Sequence, residues 1–363
     1  MQVSKTSNPV LGIMSGTSLD GVDLALCLFT ESGNKISYSF LQTETVPLPA
    51  FWLDIFRNPF QLSAEELAKL HVEFGKFLGE TANVFLKKNQ AKAGIISSHG
   101  QTLFHNPKSG YTFQLGHGAA IAHATGIDTV CDFRTGDVVL GGQGAPLVPI
   151  GDELLFGNFD GCLNLGGFSN ISCRIPGKGR IGFDISPVNY VLNDLANKLN
   201  LPFDEDGKTA ASGHLIPTLF DALNALPYYA QNAPKSLGAE WVKEHIFPLM
   251  DESTYAVSDL LRTFTEHAAH QIAITTKELG IESLLCTGGG AKNNFLVDRI
   301  QHLTGNIINL PDHKTLDFKE ALIFALLGYL RVHEKTNVLA SVTGALANSC
   351  SGAIYKAFPQ VGY

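Results

Sequence analysis

The sequence lacks an excess of basic residues. Its 26 lysines and arginines are outnumbered by 34 aspartates and glutamates, which leaves a formal net charge of -8 at pH 7. A protein that binds a nucleic-acid backbone needs a positive surface to meet the phosphates. The composition therefore excludes a nucleic-acid partner. An acidic chain can still bind a phosphorylated ligand such as ATP, but only through local hydrogen-bond donors and a divalent cation.

Long apolar runs are also missing. The longest covers residues 321–330, well short of the roughly 20 residues that a helix needs to cross a bilayer. The opening residues, MQVSKTSNPV, lack the apolar core of a signal peptide. We therefore expect no membrane partner and a cytoplasmic location.

Cysteine is sparse, and its spacing suggests no bridge or metal site. The six cysteines form no CxxC pair, and several lie within apolar, strand-like runs. This pattern is typical of buried, reduced thiols in a reducing compartment.

The chain does have length and apolar content. It has 363 residues, of which 45% are hydrophobic, and this is too much chain for one ordinary core. Predicted strands and amphipathic helices follow one another along it, so we expect an α/β protein of two domains.

Residues 11–29, LGIMSGTSLDGVDLALCLF, form the most informative stretch of the sequence. Two apolar runs flank a small polar turn that contains Gly16, Thr17, Ser18 and the hairpin dipeptide Asp20-Gly21. A tight turn of this kind exposes several backbone N–H groups, which can hold phosphate oxygens together with the two hydroxyls. The alternative is an ordinary β-hairpin with a polar turn.

Two carboxylates accompany this turn. Asp20 and Asp23 carry the oxygen ligands that a hydrated magnesium ion prefers beside phosphates. We therefore predict Mg²⁺ as a cofactor, with Asp20 as its protein ligand.

A second segment repeats this pattern. Residues 161–175, GCLNLGGFSNISCRI, again place a small turn, with Gly166 and Gly167, between two apolar strands. A third strand follows each hairpin, at 35–46 and at 180–183. Because repetition is stronger evidence than either turn alone, we expect two such hairpins to face each other across a cleft and to hold a nucleotide.

Asp184 follows the third strand of the second repeat. Ser186 could cap the next helix and Pro187 could occupy its first position. This arrangement would place Asp184 near a helix N-terminus, which favours the ionised carboxylate. An ionised carboxylate beside bound phosphate can take a proton from an attacking hydroxyl or water. The alternative is that Asp184 only caps the helix.

Polar residues elsewhere could bind a substrate. His99 and Gln101 follow a predicted strand at 93–98, and α/β folds place ligands at such strand ends. The alternative for His99 is a histidine that is hydrogen-bonded within its loop. Arg134 and Asp137 lie in a glycine- and proline-rich segment that we expect to be irregular. Arg134 could meet an anionic group, or it could form a structural ion pair with a nearby aspartate.

Three glycines mark a further turn late in the chain. Gly288, Gly289 and Gly290 follow a predicted strand and precede a helix that begins near Asn293. Glycines here would let a flat ring such as adenine approach the backbone. Glu320 lies near the start of a later apolar helix, where it could face a ligand or complement the helix dipole.

These motifs together resemble the anhydro-N-acetylmuramic acid kinase family of the actin, hexokinase and heat-shock chaperone superfamily. The resemblance covers nearly the whole chain in order and rests on MSGTSLDGVD, SSHGQTLFHNP, DFRTGDVVLGGQGAPLVP, LNLGGFSNIS, GFDISPVN, PKSLGAEW, CTGGGAKNNFL, KEALIFALLG and SVTGA.

The resemblance implies two RNase H-like domains that flank a nucleotide-binding cleft, at 1–130 plus roughly 340–363 and at 131–339. It implies an ATP-dependent kinase that opens the 1,6-anhydro ring of the muramyl sugar with water and phosphorylates O6, in cell-wall recycling. It also implies domain closure and often a homodimer.

The resemblance carries site roles as well. Asp184 matches the general base, and Gly288, Gly289 and Gly290 would flank the nucleoside. The ATP phosphate turn would comprise Gly16, Thr17, Ser18, Leu19, Asp20, Gly21, Val22 and Asp23.

The chain departs from the commoner family pattern at Ile185, Ser186 and Val188 beside Asp184, and at Ala239, where an arginine is frequent. Two alternatives follow. One is a kinase for another anhydrosugar such as levoglucosan. The other is a module of the same fold that binds ATP or sugar without catalysis.

Overall fold

The computed structural model describes residues 5–6, 8–16, 19–33, 35–233, 235–305 and 307–357. The strands in this part of the chain are β1 (Lys5–Thr6), β2 (Val10–Ser15), β3 (Val22–Ser32), β4 (Lys35–Val46), β5 (Ile95–Ser98), β6 (Gln101–Asn106), β7 (Tyr111–Leu115), β8 (Thr129–Cys131), β9 (Gly161–Leu165), β10 (Phe168–Ile175), β11 (Gly179–Pro187), β12 (Leu284–Thr287), β13 (Ile308–Asn309) and β14 (Ala353–Tyr355).

The α-helices in the same part are α1 (Ala50–Arg57), α2 (Ala64–Lys88), α3 (Gly118–Thr125), α4 (Thr135–Val139), α5 (Pro149–Leu155), α6 (Asn189–Asn197), α7 (Lys208–Ser212), α8 (Pro217–Asn224), α9 (Ala239–His245), α10 (Val257–Glu278), α11 (Asn294–Thr304), α12 (His313–Val332) and α13 (Ala340–Thr343). No helix in the described ranges is long and apolar enough to cross a membrane.

The chain divides into two compact units. The N-terminal unit comprises Met1–Leu155 and Phe318–Tyr363, and the C-terminal unit comprises Phe156–Asp317. The boundaries predicted at 130/131 and 339/340 therefore move by about twenty residues. Two segments expected in the second domain pack in the first. One is the segment with α4 and α5, and the other is most of α12. The second boundary falls within α12 at Phe318, whose backbone is not helical (φ −116°, ψ 16°).

Hydrogen bonds and ring contacts explain the shift of the boundaries. The Gln143 N–H donates to the Thr343 carbonyl at 2.8 Å, which ties the loop after α4 to α13. Phe324 of α12 contacts Phe133, with 5.9 Å between ring centroids. The segment at 131–156, expected to be irregular, also contains two short helices. Gly141, Gly142, Gly144 and Pro146 lie between the two helices, whereas Gly136, Pro149 and Gly151 lie within them.

The sheet of the N-terminal unit is mixed. β2 pairs antiparallel with β3 from Val10↔Cys27 to Ser15↔Val22, and β3 pairs antiparallel with β4. On its other side β2 pairs parallel with β5, and β5 pairs parallel with β8. The central order is therefore β4-β3-β2-β5-β8, with β1 beside β3 and β14 beyond β8.

The sheet of the C-terminal unit repeats this topology. Its order is β11-β10-β9-β12-β13. The first three strands form an antiparallel meander, and β12 and β13 run parallel to β9. If only the five central strands of each sheet are counted (β2, β3, β4, β5 and β8; β9 to β13), the third, second, first, fourth and fifth lie side by side in both units, which is the RNase H-like arrangement. The predicted repeat is confirmed, and the nucleotide cleft stays a prediction.

Local sequence accounts for the main helices. At the start of α2, Ser63 accepts from the Glu66 N–H and Glu66 accepts from the Ser63 N–H, as the predicted capping box requires. Phe74, Leu78 and Phe85 then bury one face of α2 on the N-terminal sheet. In the C-terminal unit, α10 buries residues such as Leu260, Phe264 and Ile272. Five of the cysteines are buried and Cys350 is exposed, and all six are free thiols.

Candidate active site

The predicted phosphate turn connects β2 to β3. The Leu19 N–H donates to the Gly16 carbonyl at 3.2 Å, and Leu19 adopts a left-handed φ of 60°. A Cβ on Gly21 would lie 2.7 Å from Thr45 Cγ2 and 3.0 Å from the Val46 carbonyl oxygen of β4, so a larger residue here would force β4 to shift. Val22 begins β3 as a buried residue. Thr17 and Ser18 lie outside the described residues, so their predicted role stays a prediction.

Asp20 and Asp23 remain close to the turn. Asp20 is exposed on it, and Asp23 on β3 accepts a hydrogen bond from Thr45 Oγ1 at 2.5 Å. The described residues contain no cluster of three or more His, Cys, Asp or Glu side chains placed to hold a metal. Mg²⁺ commonly binds through one or two carboxylates plus waters and phosphates. An exposed carboxylate on a phosphate-type turn fits that ligand set.

The carboxyl group of Glu320 in α12 interacts electrostatically with Asp20 and Asp23 of this turn. Desolvation of the carboxyl group raises its pKa, although the residue as a whole is exposed. Arg134 and Lys319 oppose the rise, and Asp23 and Asp20 add to it. The N-terminal unit therefore brings Asp20, Asp23, Arg134 and Glu320 into one region.

His99, which is buried, and Arg134, which is partly buried, form a pair at the carboxyl ends of β5 and β8. Arg134 Nε donates to His99 Nε2 at 3.0 Å, so the imidazole proton lies on Nδ1, which donates to the Gly100 carbonyl at 2.8 Å. Burial, aided by the Arg134 charge, lowers the pKa of His99 to about 3. His99 is therefore neutral, and it orients the guanidinium.

Arg134 is fixed by a second bond but keeps free donors. Its Nη1 donates to the Gly144 carbonyl at 2.7 Å, and burial lowers its pKa to about 10, with Glu320 opposing the shift. In the described chain, Nη2 has no hydrogen-bond partner. The ion pair weighed with a nearby aspartate does not form. Gln101, which follows on β6, accepts from Ser15 Oγ at 2.6 Å.

Asp137 anchors the loop behind Arg134. It is fully buried, and its two oxygens accept from the Gly144 N–H and from Thr343 Oγ1, each at 2.7 Å. Both oxygens are thus used inside the unit. The geometry gives Asp137 a structural role in this loop, and its contact with substrate stays a prediction.

In the C-terminal unit, the turn at Gly166 and Gly167 connects β9 to β10. The Gly167 carbonyl accepts from the Val188 and Tyr190 N–H groups at 2.8 and 3.1 Å, and the Gly166 carbonyl accepts from Asn189. The turn therefore satisfies the first N–H groups of α6 and fixes where that helix begins.

The three-glycine turn follows β12 and packs on the same region. Gly288 has a φ of 88°, and a Cβ on Gly290 would lie 2.9 Å from the Leu165 carbonyl oxygen. Gly289 has open space, with Asn189 Nδ2 nearest to its Cβ position at 3.8 Å. Asn293 caps α11 by accepting from the Leu296 N–H at 3.0 Å. The unit thus joins the Gly166–Gly167 and Gly288–Gly290 turns at one sheet edge.

Asp184 lies within β11, so the prediction of a helix start beside it is wrong. β11 extends to Pro187, and Ser186 pairs in the sheet with Ser169. Helix α6 begins only at Asn189 and has no side-chain cap. Burial raises the pKa of Asp184, and one hydrogen bond from the Leu237 N–H opposes the rise. The expected helix dipole therefore does not set its ionisation.

A loop that sequence reasoning missed holds Asp184 in place. The Asp184 N–H donates to the Lys235 carbonyl at 3.0 Å, and the Leu237 N–H donates to Asp184 Oδ2 at 2.9 Å. Tyr228 OH donates to the Asp184 carbonyl at 2.7 Å. Among the described residues, Oδ1 accepts no hydrogen bond. Asp184 thus presents one restrained but unoccupied carboxylate oxygen.

Lys235 holds this loop together through contacts of its side chain with Tyr228 and Tyr229. Its Nζ donates to the Tyr228 and Tyr229 carbonyls at 3.2 and 3.4 Å and lies 4.6 Å from the centre of the Tyr228 ring. The motif PKSLGAEW, about fifty residues after Asp184, is the sequence signal for Lys235 and Leu237, and Tyr228 lies outside it.

Two RNase H-like units, each with a glycine-containing turn between the first two strands of its antiparallel meander, define an α/β protein of the actin and hexokinase type. The chain belongs to the anhydro-N-acetylmuramic acid kinase family, whose model matches residues 8–357.

The relatives match over nearly their full length. Anhydro-N-acetylmuramic acid kinase of Sulfurovum sp. (strain NBC37-1) is 37% identical, with 95% of this chain and 98% of that protein covered. The enzyme of the same name from Pseudomonas putida is 36% identical, with 96% and 99% covered. Among solved structures, (R)-2-hydroxyglutaryl-CoA dehydratase component A of Acidaminococcus fermentans is 13% identical, with 90% and 100% covered and a TM-score of 0.46.

Proposed function

We propose that this kinase acts on 1,6-anhydro-N-acetylmuramic acid and ATP, and that it forms N-acetylmuramate 6-phosphate and ADP. Water oxygen bonds to the anomeric carbon, the bond from that carbon to O6 breaks, and O6 takes the γ-phosphoryl group. The bond from the γ-phosphorus to ADP breaks, and the water proton passes to Asp184. Membership of the family supports the choice of substrate, and the position of Asp184 supports its role as acceptor of the water proton.

The geometry of Asp184 is the observation that carries this proposal. A general base must be held so that one atom can receive a proton. The Leu237 N–H occupies Oδ2, the Lys235 and Tyr228 contacts fix the backbone on both sides, and Oδ1 accepts no hydrogen bond in the described chain. A raised pKa also makes the carboxylate a stronger base than an ordinary aspartate.

The two kinds of glycine turn would bind different parts of ATP. In this proposal the turn at residues 16–23 donates backbone N–H groups to the phosphates, and the Gly166–Gly167 turn contributes likewise. Gly288, Gly289 and Gly290, with Asn293, lie beside the nucleoside, because their missing side chains allow close approach. Asp20, with Asp23 nearby, would hold hydrated Mg²⁺, which neutralises phosphate charge when bound.

The acceptor sugar would meet the residues around Arg134. Arg134 keeps Nη2 donors for an anionic or hydroxyl oxygen, because His99 and Gly144 use its other groups. Gln101 and Glu320 add polar groups from β6 and α12. In the proposed role Asp137 acts indirectly, since it fixes the loop that positions Arg134. A cytoplasmic place in cell-wall recycling and a homodimer belong to the same proposal.

A transfer assay tests the proposal. The protein is incubated with ATP, Mg²⁺ and either 1,6-anhydro-N-acetylmuramic acid or levoglucosan, and the products are resolved by phosphorus NMR and mass spectrometry. We expect ADP and a ring-opened 6-phosphate from the muramyl sugar and much slower transfer to levoglucosan. If transfer to levoglucosan is faster, levoglucosan replaces the muramyl sugar as the proposed substrate. ATP binding without transfer to either sugar would reject the enzyme assignment.

A further inference from the structure

A network of hydrogen-bonded polar side chains lies in the core of the C-terminal unit. His267 of α10 is fully buried. Its Nδ1 lies 2.8 Å from Asn224 Oδ1 of α8, and its Nε2 lies 2.8 Å from the hydroxyl oxygen of Tyr229. A buried imidazole needs a partner for each nitrogen, because an unpaired polar group in a core costs free energy. Both nitrogens have one, so His267 links α10 to α8 and to the segment that contains Tyr229.

Neighbouring hydrogen bonds fix which atom donates in each contact of His267. Asn224 Nδ2 donates to the Phe220 carbonyl at 2.8 Å, and Gln271 Nε2 donates to Asn224 Oδ1 at 2.7 Å. Asn224 Oδ1 is thus an acceptor, so the imidazole proton lies on Nδ1. Burial lowers the pKa of His267 to about 3, so the ring is neutral near pH 7. His267 Nε2 is therefore a fixed acceptor for the hydroxyl group of Tyr229.

Tyr229 belongs to the loop that holds Asp184. The preceding residue, Tyr228, donates from its hydroxyl group to the Asp184 carbonyl, and the Leu237 N–H donates to Asp184 Oδ2. Lys235 Nζ donates to the carbonyls of both tyrosines, and the Lys235 carbonyl accepts from the Asp184 N–H. Three hydrogen bonds to Asp184 thus come from one loop, and the Tyr229 hydroxyl group attaches that loop to α10.

The sheet is irregular at Asp184, which makes the loop more important for its position. In the pairing of β10 with β11, Asn170 lies opposite Asp184, and the residue before Asn170 lies opposite Ser186. Ile185 is thus an extra residue of β11 and forms a β-bulge, which interrupts the ladder and changes the direction of nearby side chains. Asp184 therefore depends on the loop, as well as on the sheet, for its position.

We propose that His267 and Tyr229 are positioning residues for Asp184. The hydrogen bond between them holds the loop in place, which keeps the Leu237 N–H on Asp184 Oδ2 and leaves Oδ1 to receive the water proton. This inference rests on the proposed function, in which Asp184 is the base. A fully paired polar network is rigid, and misplacement of a reacting group by about 1 Å can cost about 10²-fold in rate. A buried bond remote from the substrate can therefore govern kcat.

Two substitutions at His267 separate this role from a contribution to stability alone. In His267→Asn, the side-chain amide can donate to Asn224 from the position of Nδ1, but it does not reach Tyr229. In His267→Gln, the side-chain oxygen reaches the position of Nε2 and can accept from Tyr229, but the donor to Asn224 is lost. Each variant loses one buried hydrogen bond, and only His267→Asn loses the bond to the loop. Tyr229→Phe removes that same bond from the other side.

Thr263→Val is the control for a destabilised α10. Thr263 is fully buried one turn before His267, and its Oγ1 accepts from the Ile216 N–H at 2.9 Å. Valine has nearly the same shape and removes this hydrogen bond without a change in the network. For the full chain and each variant, we measure kcat, the KM for ATP, the melting temperature and the hydrogen-exchange rate of the Leu237 amide.

We expect kcat to fall by about tenfold or more in His267→Asn and Tyr229→Phe, with the KM for ATP unchanged and faster exchange at Leu237. His267→Gln should recover most of the kcat and of the protection of Leu237, and Thr263→Val should match the wild type in both, although both variants melt earlier. An equal fall of kcat in His267→Asn and His267→Gln overturns the inference, as does a wild-type kcat in Tyr229→Phe. If His267→Asn does not fold by circular dichroism, Tyr229→Phe decides.

The exchange measurement separates this inference from the proposed function. If the wild type transfers phosphate and Leu237 exchanges at the same rate in all variants, the positioning role is wrong and the proposed function stands. If the wild type transfers no phosphate, the proposed function is wrong, and the exchange rates still decide whether the bond between His267 and Tyr229 holds the loop.

Discussion

Replacement of Asp184 by asparagine isolates the proposed base. The asparagine side chain has nearly the same shape, and its oxygen can still accept from the Leu237 N–H, which lies 2.9 Å from Oδ2 in the native chain. The backbone contacts to Lys235 and Tyr228 do not involve the side chain of Asp184. Asp184→Asn therefore removes proton acceptance and leaves the local structure in place.

The expected loss of rate follows from that single change. A positioned general base contributes about 10²–10⁴-fold, which corresponds to roughly 3–5 kcal/mol of the activation barrier. We expect kcat to fall by that factor. The KM for ATP should change little, because the glycine turns are untouched.

The stability of this variant has a predicted sign. Burial raises the pKa of Asp184 in the folded chain above its unfolded value. The protonated form therefore favours folding, and this contribution is lost as the pH rises through the folded pKa. At pH 7 the native charge is unfavourable, so Asp184→Asn should melt at the same or a higher temperature.

Steady-state kinetics and thermal melting are measured together on wild type, Asp184→Asn and the control Asp221→Asn, an exposed aspartate of α8. The control should match the wild type in both measurements. If Asp184→Asn keeps more than about a tenth of the wild-type kcat, well above the range for a lost base, Asp184 is not the base. A large drop in melting temperature would show that the residue is structural.

Three further predictions concern the supporting side chains. Lys235→Met releases the loop that brings the Leu237 N–H to Asp184, so the acid limb of the pH profile of kcat should move to higher pH, and an unmoved limb would contradict this. In Arg134→Lys, the lysine cannot make both hydrogen bonds, to His99 and to Gly144, that the arginine makes. The KM for the sugar should therefore rise about tenfold, which is the equivalent of one lost hydrogen bond of about 1.4 kcal/mol. An unchanged KM would place Arg134 outside the sugar site. Asp137→Asn leaves one side-chain oxygen for two donors, so the free energy of unfolding measured with urea should fall by about 1–3 kcal/mol. The control Asp54→Asn, at an exposed position, should leave it unchanged. Equal stability of the two variants would refute the role of Asp137 in anchoring the loop.

Local patterns predicted much of the fold. The hairpins around residues 16–21 and 166–167, the capping box at Ser63 and the helix start at Asn293 depend on neighbours within a few residues, and the structure confirms them. The repeated order of strands confirmed the fold class, since the two sheets have the same topology.

The features that the sequence could not predict depend on packing between residues far apart in the chain. The domain boundaries moved because the segment after β8 and α12 pack in the N-terminal unit, far from their expected neighbours. The helix after Asp184 starts late because the Gly166 and Gly167 carbonyls, about twenty residues away, bind its first N–H groups. Tyr228, Lys235 and Leu237 reach Asp184 from 44 to 53 residues away, beyond any local pattern.

The proposal that water attacks the sugar carbon, and not phosphorus, has a direct measurement. The reaction is run in ¹⁸O-labelled water with ATP, Mg²⁺ and 1,6-anhydro-N-acetylmuramic acid, and the product is fragmented by mass spectrometry. N-acetylmuramate 6-phosphate kept in the same water corrects for exchange at the anomeric carbon. We predict one ¹⁸O on the sugar carbon and none in the phosphoryl group. Label in the phosphoryl group, or a phosphorylated sugar with its anhydro ring intact, would contradict the account.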